Sequence, residues 1–163
     1  MTRINVDPSS TANIGGYLGT HTLIMRCLSE VIYKRNHLML ESNASVEDAC
    51  RKMQSSQVGS VLVIGEGKRL VGIFTGRDVV CRVVAEARDT AETRLRDVMT
   101  PDPIVMSPNN TAIEAMRLMW DGGFRHLPIV DDDRILGMLT SGDFNAAEED
   151  LLCDERNLWE HMR

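Results

Sequence analysis

Arg69-Leu70-Val71-Gly72-Ile73-Phe74-Thr75-Gly76-Arg77-Asp78 and Arg134-Ile135-Leu136-Gly137-Met138-Leu139-Thr140-Ser141-Gly142-Asp143 are one pattern written twice. Each is an apolar run closing on Gly-x-x-Thr-x-x-Asp, the look of a buried strand that hands over to a helix. The copying extends outward. Upstream, Ala44-Ser45-Val46-Glu47-Asp48-Ala49-Cys50-Arg51-Lys52-Met53 lies on Asn110-Thr111-Ala112-Ile113-Glu114-Ala115-Met116-Arg117-Leu118-Met119, so Ala49 meets Ala115, Arg51 meets Arg117 and Met53 meets Met119. A one-residue slip falls in the turns Gly65-Glu66-Gly67-Lys68 and Asp131-Asp132-Asp133, where duplicated structure tolerates it. A repeat of this length makes two copies of a single supersecondary unit.

Each copy reads β-α-β-β-α, an α/β (α+β) unit. A short strand (Leu38 to Leu40; Ile104 to Met106) leads through Ser45 or Thr111, with an acid three residues on, into a helix with Ala and Met at helical spacing. Two strands follow, Ser60 to Ile64 with Leu70 to Phe74, and Leu127 to Val130 with Ile135 to Leu139, apolar on both faces as buried strands are. A further helix is expected after Asp78, with Val79, Val80, Val83 and Val84 on one side, and another after Asp143. One copy cannot cover both faces of its own sheet, so the two are expected to pack sheet to sheet about a pseudo-two-fold axis. The expected organisation is an arm over 1–27, a first repeat over 28–86, a linker over 87–94, a second repeat over 95–147 and a C-terminal helix over 148–163. The arm is rich in Gly, Ser, Thr and Asn and is expected to be partly ordered. The tail places Leu151, Leu152, Leu158, Trp159 and Met162 near one helical face, which calls for a partner surface.

The chain has 163 residues, 43% of them hydrophobic, enough for a real core, and a formal net charge of -6. Acids spread along the chain argue against a phosphate-tracking groove for nucleic acid. Cys27, Cys50, Cys81 and Cys153 form no Cys-x-x-Cys pair, and the start is not signal-like, so reduced thiols and a cytoplasmic location are expected. No apolar run approaches the roughly 18–20 residues of a spanning helix, so no membrane is expected as a partner. His21, His37, His126 and His161 show no ligand spacing with a cysteine or carboxylate, and no metal is assigned. Neither Gly-x-Ser-x-Gly nor a phosphate-cradling glycine loop occurs, and no nucleophile has an adjacent base, so the chain does not read as an enzyme.

The strand-end motif carries the chemistry. A threonine hydroxyl beside the first free N–H groups of a helix can hold a phosphate oxygen. An aspartate three residues on can accept two charge-assisted hydrogen bonds from a ribose diol, and the glycine lets a ligand or another part of the chain come close. The same residues serve equally as helix caps, with Thr75 and Thr140 at the N-cap and Asp78 and Asp143 as acids favoured by the dipole. Duplication copies caps as faithfully as sites.

Both copies resemble the cystathionine-β-synthase (CBS) domain, and together they resemble the tandem pair called a Bateman module. The likeness covers about residues 28–146. It rests on the Ala-x-x-x-Met helix, Leu127-Pro128-Ile129-Val130-Asp131, the Gly-x-x-Thr-x-x-Asp ends and Val98-Met99-Thr100-Pro101 opening the second copy. The resemblance implies a regulatory, signal-transducing role through adenosine ligands (AMP, ADP, ATP, NAD or S-adenosylmethionine) held in clefts between the copies. It also implies a homodimer read by a separate effector protein; a dimeric scaffold with empty clefts is the alternative. Carried over by position, one cleft would use Met138, Thr140 and Asp143, closed by Tyr33, Leu38, Val58 and Gly59 around the adenine. The other would use Ile73, Thr75 and Asp78, closed by Met99, Ile104 and Phe124. Phosphates would sit where Arg125 and His126 precede Leu127; the first copy has Gly59 and Ser60 there. Arg125 offers fixed guanidinium donors and His126 a pH-dependent one. The Asp143 cleft is therefore expected to grip phosphate more tightly, while the Asp78 cleft borrows Arg125 or uses Arg77.

Overall fold

A computed structural model describes residues 26–32 and 37–161. The arm before Arg26, Tyr33, Met162 and the side chains of Leu158 and Trp159 lie outside that description. The elements in order are α1 (Leu28–Val31), β1 (Met39–Glu41), α2 (Val46–Ser56), β2 (Ser60–Ile64), β3 (Leu70–Thr75), α3 (Gly76–Asp78), α4 (Leu95–Val98), β4 (Thr100–Pro101), α5 (Ala112–Gly122), β5 (His126–Asp131), β6 (Arg134–Thr140) and α6 (Ala146–His161).

Local chemistry sets the helix ends. The Ser45 hydroxyl accepts from the Asp48 N–H at 3.1 Å, and the Thr111 hydroxyl accepts from the Glu114 N–H at 3.3 Å while Glu114 returns to the Thr111 N–H at 2.8 Å. These bonds satisfy amide donors that the first helical turn leaves without partners. Both helices stop on a left-handed residue, Gln57 and Gly123.

In the first repeat β1 runs parallel to β2, and β2 pairs antiparallel with β3. The second repeats this with β5 antiparallel to β6 and Met106 bridging Ile129 in parallel. The strand expected at Ile104 to Met106 is reduced to that bridge. Pro103 and Pro108 flank it, and neither has an N–H to extend a ladder. The helix expected after Asp78 is α3 continued as a π turn over Val79–Val84. Its wider period splits the valine stripe: Val83 is buried, whereas Val80 and Val84 are 61% and 66% exposed. The second strand end closes in a single 3₁₀ turn over Ser141–Asp143, and the helix expected after Asp143 is α6, which begins at Ala146 rather than at 148.

Three clusters form the core, and their membership shows an exchange that the sequence did not display. Leu95 and Val98 of α4 are buried with Leu40, Val46, Val63 and Phe74 of the first repeat. Conversely, Leu28 and Ile32 are buried with Met106, Ala112, Leu127 and Leu139 of the second. Backbone bonds mark both crossings, from the Leu95 N–H to the Ala44 carbonyl at 3.0 Å and from the Leu28 N–H to the Asn110 carbonyl at 2.8 Å. The stretch opening each repeat by sequence thus completes the core of the other. Leu62, Leu70 and Ile73 then meet Val105, Val130 and Met138 in the cluster between the two sheets, as sheet-to-sheet packing requires.

Arg26 fixes α6. Its guanidinium grips Glu148 with both oxygens, at 2.8 and 2.7 Å, and donates to the Asp143 carbonyl at 3.3 Å. Burial acts to raise the Glu148 carboxyl, but the bonds from Arg26 and the Asn145 N–H outweigh it and hold the group low.

Candidate functional site

The two strand ends are built alike. In the first, Asp78 Oδ2 accepts from the Thr75 N–H at 2.8 Å and from the Thr75 hydroxyl at 2.7 Å. In the second, Asp143 Oδ2 accepts from the Thr140 N–H at 2.6 Å and its hydroxyl at 2.8 Å. Each carboxylate therefore uses one oxygen to hold its own turn, and Asp78 keeps Oδ1 for Arg82 Nη1 at 3.4 Å. Gly59 and Arg125 are also equivalent in backbone terms: their carbonyls accept from the N–H of Gly76 at 3.1 Å and of Ser141 at 3.3 Å.

The surroundings of the two ends differ. Beside Asp78 opens a cleft of about 640 Å³, within the roughly 300–1,000 Å³ of small-molecule sites. Ile73, Ile104 and Phe124 give it apolar walls, and Thr75, Arg77, Asp78, Arg125 and His126 supply polar and charged lining. Among the described residues neither the Arg77 nor the Arg125 guanidinium has a hydrogen-bond or ion-pair partner. Arg82, which the sequence reading passed over, also lines the cleft. Its Nη1 donates to the carbonyls of Val98 at 3.0 Å and Met99 at 2.6 Å, so this arginine pins the exchanged α4 segment to the site. The spacing Asp78 to Arg82, one helical turn, was the available signal. Thr100, Asp102 and Pro103 complete the wall. Met99 does not line it. Its thioether fills the space left by the missing side chain of Gly72, where any Cβ would overlap Met99 Sδ.

On the Asp143 side lies a cavity of about 250 Å³, lined by Leu38, Val58, Gly59, His126, Met138 and Thr140 among others. Neither Asp143 nor Arg125 is on its wall. His37 also lines it, and its ring stands over Gly137, where a Cβ would lie 2.9 Å from Cε1. Arg125 precedes β5 of the second repeat but lines the Asp78 cleft, as does Arg77, which is the borrowed placement and not the one beside Asp143. His126 and Gly59 face both cavities.

Burial holds the His126 imidazole below the ordinary value of 6.5; Arg125 acts in the same direction and Asp78 against it. Burial also lowers His37, opposed by a backbone hydrogen bond at Leu136. A histidine lowered in the folded state binds fewer protons there than when unfolded. Stability is then fullest above 6.5 and falls as pH drops through that value toward the folded one. Thermal melting between pH 7.5 and 5.5 is expected to show this decline, and a shallower slope in His126→Gln checks the assignment.

Two repeats of one unit, each ending in the same Thr–Asp strand end, pack around two cavities, and the Asp78 carboxylate lines the larger of these two. The chain belongs to the CBS domain family, whose profile matches residues 28–85 and 95–150. It is 37% identical over 102 residues to the CBS domain-containing protein CBSCBSPB2 of Arabidopsis thaliana, covering 63% of this chain and 19% of the relative. To the mitochondrial CBS domain-containing protein CBSX3 of the same plant it is 33% identical over 110 residues, covering 65% and 53%. The chain therefore spans between about a fifth and about a half of these relatives' lengths. Among solved structures, an uncharacterized conserved protein from Pyrococcus horikoshii superposes with a TM-score of 0.66 at 27% identity, covering 72% of this chain and 87% of the other. A CBS domain protein from Pyrobaculum aerophilum, complexed with AMP, shares the fold with a TM-score of 0.71 at 22% identity, covering 79% and 99%. Among the described residues no helix is long and apolar enough to cross a membrane, and no group of three or more His, Cys, Asp and Glu is placed to hold a metal.

Proposed function

We propose that this chain is a regulatory module that binds an adenine nucleotide in the Asp78 cleft and passes its occupancy, as a homodimer, to an effector protein. One observation carries this: the guanidinium groups of Arg77 and Arg125, without a partner among the described residues, line an apolar-walled cleft of about 640 Å³ that also presents the Asp78 carboxylate. Ile104 and Phe124 would flank the adenine, Asp78 would accept from the ribose hydroxyls, and the two guanidinium groups would take the phosphates in their fixed fork geometry. The AMP bound by the Pyrobaculum aerophilum relative supports the ligand class. Ligand bias on the exchanged α4 segment, reached through Arg82, supplies a route from the cleft to the rest of the molecule.

The smaller cavity favours the scaffold alternative on its own side. At about 250 Å³, and with the Asp143 carboxylate off its wall, that cleft would stay empty of nucleotide.

The two roles are separable by ligand truncation. Arg125→Ala and Arg77→Ala are each expected to weaken ADP about tenfold or more while leaving adenosine nearly unchanged, as losing a charge-assisted bond to phosphate requires. Equal loss for ADP and adenosine in calorimetric titrations would remove the phosphate assignment.

A further inference from the structure

A second cavity borders the same two arginines. It lies between α5, the 3₁₀ turn after β6 and the first turns of α6, and measures about 570 Å³. Arg77, Phe124 and Arg125 line it as well as the Asp78 cleft, so one pair of guanidinium groups, without a partner among the described residues, is shared by two cavities. The walls of this second cavity are aromatic, from Trp120, Phe124 and Phe144, and Trp120 is 53% exposed. Glu149 on α6 is its carboxylate. Cations at a waist, flat apolar faces on both sides and a carboxylate on each side match a ligand with phosphates in the middle and a nucleoside at either end.

We infer that the α5–α6 groove is a second nucleoside subsite, and that the cognate ligand is a phosphate-bridged dinucleotide. Its bridge lies across Arg77 and Arg125, one base enters the Asp78 cleft, and the other stacks on Trp120. Glu149 serves the second ribose as Asp78 serves the first. A mononucleotide fills only the first half. The inference rests on nucleotide binding in the Asp78 cleft and adds the partner half of the ligand. Stacking on an indole face is sequence-tolerant, so this end accepts adenine or nicotinamide alike.

The chain has two tryptophans, and Trp159→Phe leaves Trp120 as the sole indole. In that background NAD and diadenosine tetraphosphate are titrated against AMP, with affinity read by calorimetry and stacking by Trp120 emission. The expected result is that at least one dinucleotide binds about tenfold or more tighter than AMP and quenches Trp120, while AMP leaves the emission unchanged. In the otherwise unaltered chain, Trp120→Ala is expected to bring the dinucleotide down to the AMP affinity without changing AMP itself. AMP binding with no gain for either dinucleotide overturns the second subsite and leaves the Asp78 cleft standing. If AMP and both dinucleotides fail to bind, both fall. Should a second copy of the chain occupy the groove instead, Trp120 emission would follow protein concentration and ignore the dinucleotide, which likewise overturns the inference.

Discussion

Asp78→Ala is expected to weaken nucleotide binding by on the order of a hundredfold, about 3 kcal/mol, whereas Asp143→Ala leaves it within a factor of about two. The asymmetry separates a ribose acceptor from a cap. Both carboxylates hold their own threonine through Oδ2 with nearly equal geometry, so both variants lose the same two cap bonds, expected to cost roughly 1 kcal/mol of stability in each, and Asp78→Ala loses the contact with Arg82 besides. Only Asp78 faces the large cleft. Melting curves and AMP titrations on the two variants side by side therefore report the cap and the site independently. Equal binding losses in both would mean that the strand ends act through the fold alone.

Leu28→Ala is expected to destabilise the protein by about 2–5 kcal/mol, a large part of the roughly 5–15 kcal/mol typical of a whole domain. Nothing about a four-residue helix near the start of the chain suggests such a cost. The reason is the exchange: Leu28 is fully buried among Leu127, Ile129 and Leu139, so truncating it opens a cavity in the second repeat. Ser29→Ala, exposed on the same turn, is expected to change stability by less than about 0.5 kcal/mol. Denaturant unfolding of the pair checks this. A Leu28→Ala loss as small as that of Ser29→Ala would contradict the placement of α1 in the second core.

The strands and the two long helices were legible because their signals are dense. Apolar runs on both faces mark β2, β3, β5 and β6, and Ser45 and Thr111 mark helix starts within a residue. The exchange of α1 and α4 was not, because four-residue segments such as Leu95–Val98 are too short to carry a period, and nothing local says which core they enter. The π turn escaped for a related reason: Val79, Val80, Val83 and Val84 fit an α-helical stripe, and only packing around Val83 reveals the wider turn. The strand-end residues were readable from the repeat, and Ile104 and Phe124, which line the large cavity, came only with the resemblance to the family. Which cavity Arg125 lines was not readable, since a residue just before β5 can border the cavity of its own repeat or be borrowed by the other. Met99 was assigned to a wall that it leaves in order to fill the gap over Gly72. Arg82 was visible one turn after Asp78 but had no counterpart in the second motif to draw attention to it.

Calorimetric titration of AMP into the unaltered chain and into Asp78→Asn tests the account most directly. Asparagine keeps an acceptor for the Thr75 cap but lacks the negative charge. Saturable binding at one site per chain is expected, with affinity lost by tenfold or more in Asp78→Asn, and about 2.7 kcal/mol of added stability when AMP stands at a hundred times its dissociation constant. No heat and no stabilisation at millimolar AMP, ADP and ATP, or binding equally tight in Asp78→Asn, would contradict it.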